Sequence, residues 1–188
     1  HGARRIFMVP GESYLPCIDA LNEHQDAIQP IVCRQEGGAA YMAEAYGKLT
    51  GEPGICFVTR GPGATNASIG VHTAFQDSTP MILLVGQVAR GMMEREAFQE
   101  IDYRRMFGPL TKWVAQIDSA ERIPEYMSRA FYAAMSGRPG PVLLALPEDM
   151  LTERAVVSNA PPVRVPLIGP EGAAVGELMS RLAGAERP

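Results

Sequence analysis

Three short runs, "GICFVT" (54–59), "MILLVG" (81–86) and "PVLLAL" (141–146), are apolar at nearly every position. A strand with one face in water alternates apolar and polar residues, so continuous runs of this length describe strands covered on both faces. Such strands belong to parallel sheets sandwiched between helices. Further short β-rich runs at 5–9, 30–34 and 112–116 alternate with helical patterns at 14–24, 36–50, 62–76 and 119–136. The expected fold is therefore α/β, a three-layer sandwich with a mainly parallel sheet of about six strands flanked by helices.

The punctuation agrees. Pro62 stands at a helix start, "DSTP" (77–80) breaks before a strand, and "SGRPGP" (136–141) ends a helix. After Met150 the pattern fades into "SNAPPVRVPLIGP" (158–170), four prolines in thirteen residues, which reads as an extended linker. The stretch 171–188 is amphipathic with no strand to pack on, so the chain is expected to be a fragment of a longer protein.

The totals exclude several classes. With 188 residues, 46% hydrophobic and 20% charged, the chain has the material for one full core. A net charge of −4 and the lack of a basic stripe argue against a nucleic-acid partner. Cys17, Cys33 and Cys56 are odd in number and widely spaced, which suits reduced cytoplasmic thiols rather than a disulfide framework or a zinc site. The longest apolar run, 81–85, is far too short to span a bilayer, so no membrane partner is expected.

Three strand-to-helix junctions could carry chemistry. In "RQEGGAAYMAEAYGKLTG" (34–51), Glu36 heads a helix on which Ala40, Ala43 and Gly47 share its face. That bare face would let a second backbone or a flat ring approach, with Glu36 at the rim. The plainer reading is that Glu36 complements the helix N-terminus. In "VTRGPGATN" (58–66), a turn presents Thr59, Pro62 and Asn66 at the carboxyl edge of the sheet, where ligands of open α/β folds bind. This is not a phosphate loop: the Gly-Lys-Ser/Thr of a P-loop is missing and Pro62 removes a backbone donor. In "MVPGESYLP" (8–16), Gly11 permits unusual dihedrals and Glu12 or Ser13 can cap a helix. "AFQEID" (97–102) fits a solvated helix or loop. His72 and the scattered methionines read as packing or surface residues, and spacing assembles no Ser/His/Asp set or metal cluster.

Taken in order, "VPGESYLPCIDAL" (9–21), "RQEGGAAYMAEAYGKLTGEPG" (34–54), "VTRGPGATNASIGV" (58–71), "DSTPMILLVGQV" (77–88), "AFQEID" (97–102), "TKW" (111–113) and "GRPGPVLLALPED" (137–149) resemble one family. It is the acetolactate synthase-like group of thiamine diphosphate enzymes, whose N-terminal, pyrimidine-binding domain is matched over about residues 3–155. The group includes acetolactate synthase, oxalyl-CoA decarboxylase, benzaldehyde lyase, sulfoacetaldehyde acetyltransferase and glyoxylate carboligase.

The resemblance implies the thiamine diphosphate-binding fold and a 2-keto acid carboligase or decarboxylase. The glutamate matching Glu36 hydrogen-bonds N1′ of the cofactor's aminopyrimidine and favours the imino tautomer that removes the thiazolium C2 proton. By the same match Gly11 and Glu12 line the reaction chamber, Thr59, Pro62 and Asn66 support the pyrimidine pocket, and Gln99 faces the reacting carbon. Glyoxylate carboligase lacks the glutamate, so Glu36 argues against that member. Acetolactate synthases often show Gly-Gly-Ala where this chain reads Gly11-Glu12-Ser13.

The family's plan also implies that Mg²⁺ and the diphosphate are held by a C-terminal domain, usually of the partner subunit, and that some relatives bind FAD through a central domain. The expected organisation is a pyrimidine-binding domain over 1–157, a linker over 158–170, and the first helix of a truncated central domain over 171–188. Expected partners are a small 2-keto acid or acyl-CoA substrate and further copies, as homodimer or homotetramer. The fragment alone should be inactive. Two other readings stand beside this one: a separate pyrimidine-binding subunit of a two-chain decarboxylase, as in sulfopyruvate decarboxylase, and a non-catalytic association or regulatory module.

Overall fold

The computed structural model describes residues 1–166 and 169–187. Six strands, β1 (Arg5–Met8), β2 (Gln29–Val32), β3 (Gly54–Val58), β4 (Met81–Gln87), β5 (Trp113–Gln116) and β6 (Pro141–Pro147), form one sheet in the order β2-β1-β3-β4-β6-β5. Every neighbouring pair is parallel. The inner strands β3, β4 and β6 are buried at every position, as their continuous apolar runs predict.

Alternation along the strands assigns side chains to two cores. Phe7, Cys56, Val58, Leu83, Val85 and Leu143 point to one face, where they meet α2 (Glu36–Thr50), α3 (Gly61–Gln76) and α4 (Tyr103–Phe107). Ile6, Met8, Ile55, Phe57, Leu84 and Leu144 point to the other, against α1 (Leu15–Glu23) and α5 (Ile123–Met135). The result is the expected three-layer sandwich. α2 begins and ends where the sequence places it, stopped by Gly51 at φ 72°, a left-handed conformation that suits glycine.

Some boundaries differ. The turn Glu12–Tyr14 is a 3₁₀ helix ahead of α1, and Ala120–Arg122 is another ahead of α5, whose second residue is Pro124. α4 is absent from the pattern reading because five residues are too few to show a helical period. Asp102 caps it, its carboxylate accepting from the Arg105 amide at 3.1 Å. Residues 153–166 carry no regular structure. The Leu167 and Ile168 of the expected linker, and Pro188 of the expected helix, lie outside the described residues. Within 171–187, α6 (Gly172–Ala183) exposes Val175, Leu178, Met179 and Leu182. Among the described residues, no helix is long and apolar enough to cross a membrane.

Two features of the topology position the site. From β1 the chain leaves by α1 on one face to β2, while β3, β1's other neighbour, leaves by α3 on the opposite face. The winding direction therefore reverses between β1 and β3, and this topological switch point, at the carboxyl edge of the sheet, is where ligands of open α/β folds bind. Across the same edge, Arg90 ties the ends of β4, β5 and β6 together. It donates to both oxygens of Asp149, from its backbone amide at 3.0 Å and Nε at 2.8 Å, to the Asp118 carbonyl at 2.6 Å and to the Glu153 carboxylate.

These bonds hold the Glu153 carboxyl below its ordinary range. Burial opposes the same effect at Asp149, but the Arg90 hydrogen bonds prevail and lower it too. Carboxyls depressed in the folded state add stability above their unfolded values, near pH 4, and lose it as pH falls through the folded ones. An Arg90→Met variant should be less stable than wild type at pH 7, with the gap closing between about pH 5 and pH 3. Denaturant midpoints measured across that range check this; a gap independent of pH would contradict it.

Candidate active site

The site grows from the switch-point loops. Gly11 has φ −148°, ordinary extended backbone, so the expectation that it supplies unusual dihedrals is corrected. Its need for glycine is spatial: a Cβ there would stand 2.5 Å from Thr59 Cβ. Ser13 and Glu12 do not cap α1 either, since neither 3₁₀ turn nor helix has a side-chain cap there. The Ser13 hydroxyl instead lies 2.9 Å from Thr59 Oγ1, and Gly86 makes room for it: a Cβ at Gly86 would meet Ser13 Oγ at 1.9 Å.

Tyr14 is fully buried, stacks on Phe57 at 3.9 Å and donates to the carbonyl of Val9. Burial first, then the neighbouring Cys56, Cys17 and Glu36, push its phenol well above its usual value, so it stays a neutral donor. The β1 and β3 exits are thus one packed unit.

Arg60 extends that unit. Its side chain is 8% exposed and donates to the Glu148 carboxylate at 2.6 Å and to Glu12 at 3.5 Å. Its Nε is buried with no hydrogen-bond partner. Sequence reading passed over Arg60, because a pairing 88 positions away leaves no local signal.

The Glu36 carboxylate is the centre of the arrangement. Gln35 is the N-cap of α2, its side-chain oxygen accepting from the Gly38 amide at 2.9 Å, so capping does not require Glu36. Glu36 Oε2 accepts from Asn66 Nδ2 of α3 at 3.0 Å. Its other oxygen, Oε1, lies against Gly63, where a Cβ would come within 3.5 Å of it and within 2.9 Å of Thr59 Cγ2. One oxygen is held, and among the described residues the other accepts no hydrogen bond.

The stripe of small residues behind Glu36 has another role than the one its sequence suggests. Ala40 packs on Gly70 of α3, where an added Cβ would meet Ala40 Cβ at 2.6 Å. A Cβ at Gly47 would stand 2.3 Å from the Pro80 carbonyl, and one at Gly54 1.8 Å from the Ala43 carbonyl. The second backbone that approaches this face is the domain's own. A flat ring or partner chain cannot reach it; only the Glu36 end stays at the rim.

The structure brings Gly11, Glu12, Thr59, Pro62, Glu36 and Asn66 to one edge. Pro62 is the second residue of α3, exposed beside Asn66. Gln99 reaches the same turn by its backbone, its carbonyl accepting from the Gly61 amide at 3.0 Å. "AFQEID" is a tight loop here, not a helix. A separate cavity of about 200 Å³, lined by residues such as Gln87, Tyr103, Val114, Gln116 and Ala145, opens at the ends of β4, β5 and β6 without touching Glu36. His72 is exposed on α3, in keeping with a surface role.

Comparison with known proteins decides the family. Residues 1–106 match the model of the thiamine pyrophosphate enzyme, N-terminal TPP binding domain. The chain belongs to this family. Among curated proteins, it is 40% identical to a probable acetolactate synthase large subunit of Methanocaldococcus jannaschii over all of this chain and 32% of the relative. It is 41% identical to the acetolactate synthase large subunit of Lactococcus lactis, over 88% of this chain and 28% of that protein. For the acetolactate synthase isozyme 3 large subunit of Escherichia coli the identity is 39%, over 90% and 28%. The chain thus spans about a third of the length of these relatives. As an N-terminal thiamine pyrophosphate enzyme domain, it carries the all-parallel α/β sandwich described above.

Proposed function

We propose that this chain is the pyrimidine-binding part of a thiamine diphosphate-dependent carboligase or decarboxylase resembling acetolactate synthase, with Glu36 as its proton-sharing carboxylate. The observation that carries this reading is the Glu36–Asn66 hydrogen bond across two helices, which fixes one carboxylate oxygen and leaves Oε1, among the described residues, without a hydrogen-bond donor. Thiamine diphosphate, when bound, supplies a thiazolium carbon that acts as nucleophile and electron sink. This chain's part is to hold a proton between Glu36 Oε1 and a ring nitrogen while Asn66 keeps the carboxylate in place. In this reading Thr59, Pro62 and Asn66 support the pyrimidine pocket, Gly11 and Glu12 line the reaction chamber, and Gln99 faces the reacting carbon.

The proposed organisation keeps the pyrimidine-binding domain at 1–157, a linker at 158–170, and the first helix of a central domain at 171–188. Mg²⁺ and the diphosphate fall to another domain, as would any FAD. Tyr41, Met42 and Ile69 are exposed by 41%, 43% and 53% on the outer faces of α2 and α3, flanking Glu36 and Asn66. A second copy covering them, in a homodimer or homotetramer, would close the rim around Glu36 against water. The substrate is a small 2-keto acid or acyl-CoA, and the setting a reducing cytoplasm suited to three unpaired cysteines. A non-catalytic association module would have no use for a carboxylate held open in this way.

The full-length protein, supplied with thiamine diphosphate and Mg²⁺, is expected to turn over at least one of pyruvate, oxalyl-CoA or an aldehyde. Failure to bind the cofactor or to turn over any of them would overturn the reading.

A further inference from the structure

Between β4 and α4, three non-glycine residues within six positions hold left-handed backbone: Glu94 at φ 60°, Glu96 at 53° and Gln99 at 64°. A Cβ disfavours that conformation, so it persists only where surrounding bonds impose it. The bonds here centre on Glu100. Its Oε1 accepts from the Glu94 amide at 2.6 Å and its Oε2 from the Ala97 amide at 3.1 Å. Its own amide donates to the Ala97 carbonyl at 3.0 Å. Among the described residues Glu100 makes no ion pair, so its charge serves backbone donors alone.

Two further bonds seat this loop on the body of the domain. The Gly61 amide donates to the Gln99 carbonyl, and Gln87 Nε2 donates to the Ile101 carbonyl at 3.1 Å. The first contact is at closest approach, since a Cβ at Gly61 would stand 2.8 Å from the Gln99 oxygen. The loop is therefore clamped internally by one carboxylate and docked externally on the turn that carries Thr59.

We propose that Glu100 is a positioning residue, whose carboxylate holds the 94–100 loop in its strained shape and so presents Gln99 to the site; this rests on the function proposed above. Glutamine at 100 keeps one acceptor but turns a donor toward the second amide. Aspartate keeps the charge but is one methylene short of spanning both.

The test uses the full-length protein as Glu100→Gln and Glu100→Asp, with two readouts. In the cofactor-free protein, amide hydrogen exchange at 94–101 should speed up by about tenfold in either variant, with α2 and α3 unchanged. In the loaded enzyme, KM for the 2-keto acid should rise by about tenfold, while exchange of the bound cofactor's C2 proton keeps its wild-type rate because Glu36 and Asn66 are untouched. Unaltered amide exchange at 94–101 would overturn the proposal. So would slowing of C2 exchange in step with turnover, or failure of both variants to fold, since each marks a general structural role. If wild type shows no C2 exchange, the proposed function falls, and the amide-exchange readout still decides the clamp.

Discussion

Replacing Glu36 with glutamine is expected to slow turnover of the full-length enzyme by about 10²–10⁴-fold, the usual range for loss of a positioned proton-transfer group. The substitution is nearly isosteric. With its amide oxygen turned to Asn66 Nδ2, the new side chain preserves the 3.0 Å bond between α2 and α3. What it then presents at the Oε1 position is an NH₂ group, a donor that cannot take up a proton. Substrate affinity should change little, because the substrate does not touch that atom in the proposed arrangement. The cofactor-free variant should melt within a degree or two of wild type. Steady-state kinetics with a 2-keto acid, beside a thermal melt, separates the two effects; retention of more than a tenth of the wild-type rate would end the proton-sharing account.

Gly54→Ala is expected to be the most damaging conservative change in the scaffold. The added methyl would stand 1.8 Å from the Ala43 carbonyl oxygen, 2.6 Å from its carbon and 3.0 Å from its Cα. All three atoms are backbone, so no rotamer change relieves the clash. β3 and α2 must instead draw apart, opening the contacts of Cys56 and Val58 with Ala39, Ala40 and Ala43. Overpacking of this kind costs up to about 3 kcal/mol, and more where the backbone itself is displaced. For a chain of this size that corresponds to a melting temperature lower by about 10 °C. Because α2 carries Glu36 at its head, the surviving folded fraction should also lose activity. A melt and an activity assay on the same sample check both; a wild-type melting temperature would show that the strand and helix are not so tightly seated.

Part of the site was legible along the chain because its cause is local. Glu36 opens α2 where Gln35 can cap and Gly51 can stop the helix, and all three signals lie within seventeen residues. Asn66 and Pro62 follow β3 at the distance at which a strand, a turn and a helix start succeed one another. Other features had no local cause. Gly11 reads as a conformational glycine, yet its backbone is extended and its reason is Thr59, brought alongside by the pairing of β1 with β3. The small face of α2 reads as room for a ring or partner, yet Gly70, Gly54 and Pro80 of the same domain fill it.

The amino-acid order alone determined the six strands, the longer helices and the class: apolar runs too continuous for one wet face require a parallel sheet between helices, and helices of small residues require close packing. Which helix, strand or loop each small residue would meet was decided by the order β2-β1-β3-β4-β6-β5, as was the packing of the β1 exit on that of β3. The physical reason is range. Hydrogen bonding within a turn and periodic burial act over a few residues, whereas Arg60 with Glu148, Glu36 with Asn66 and Gly61 with Gln99 become neighbours only after the sheet has closed the chain between them.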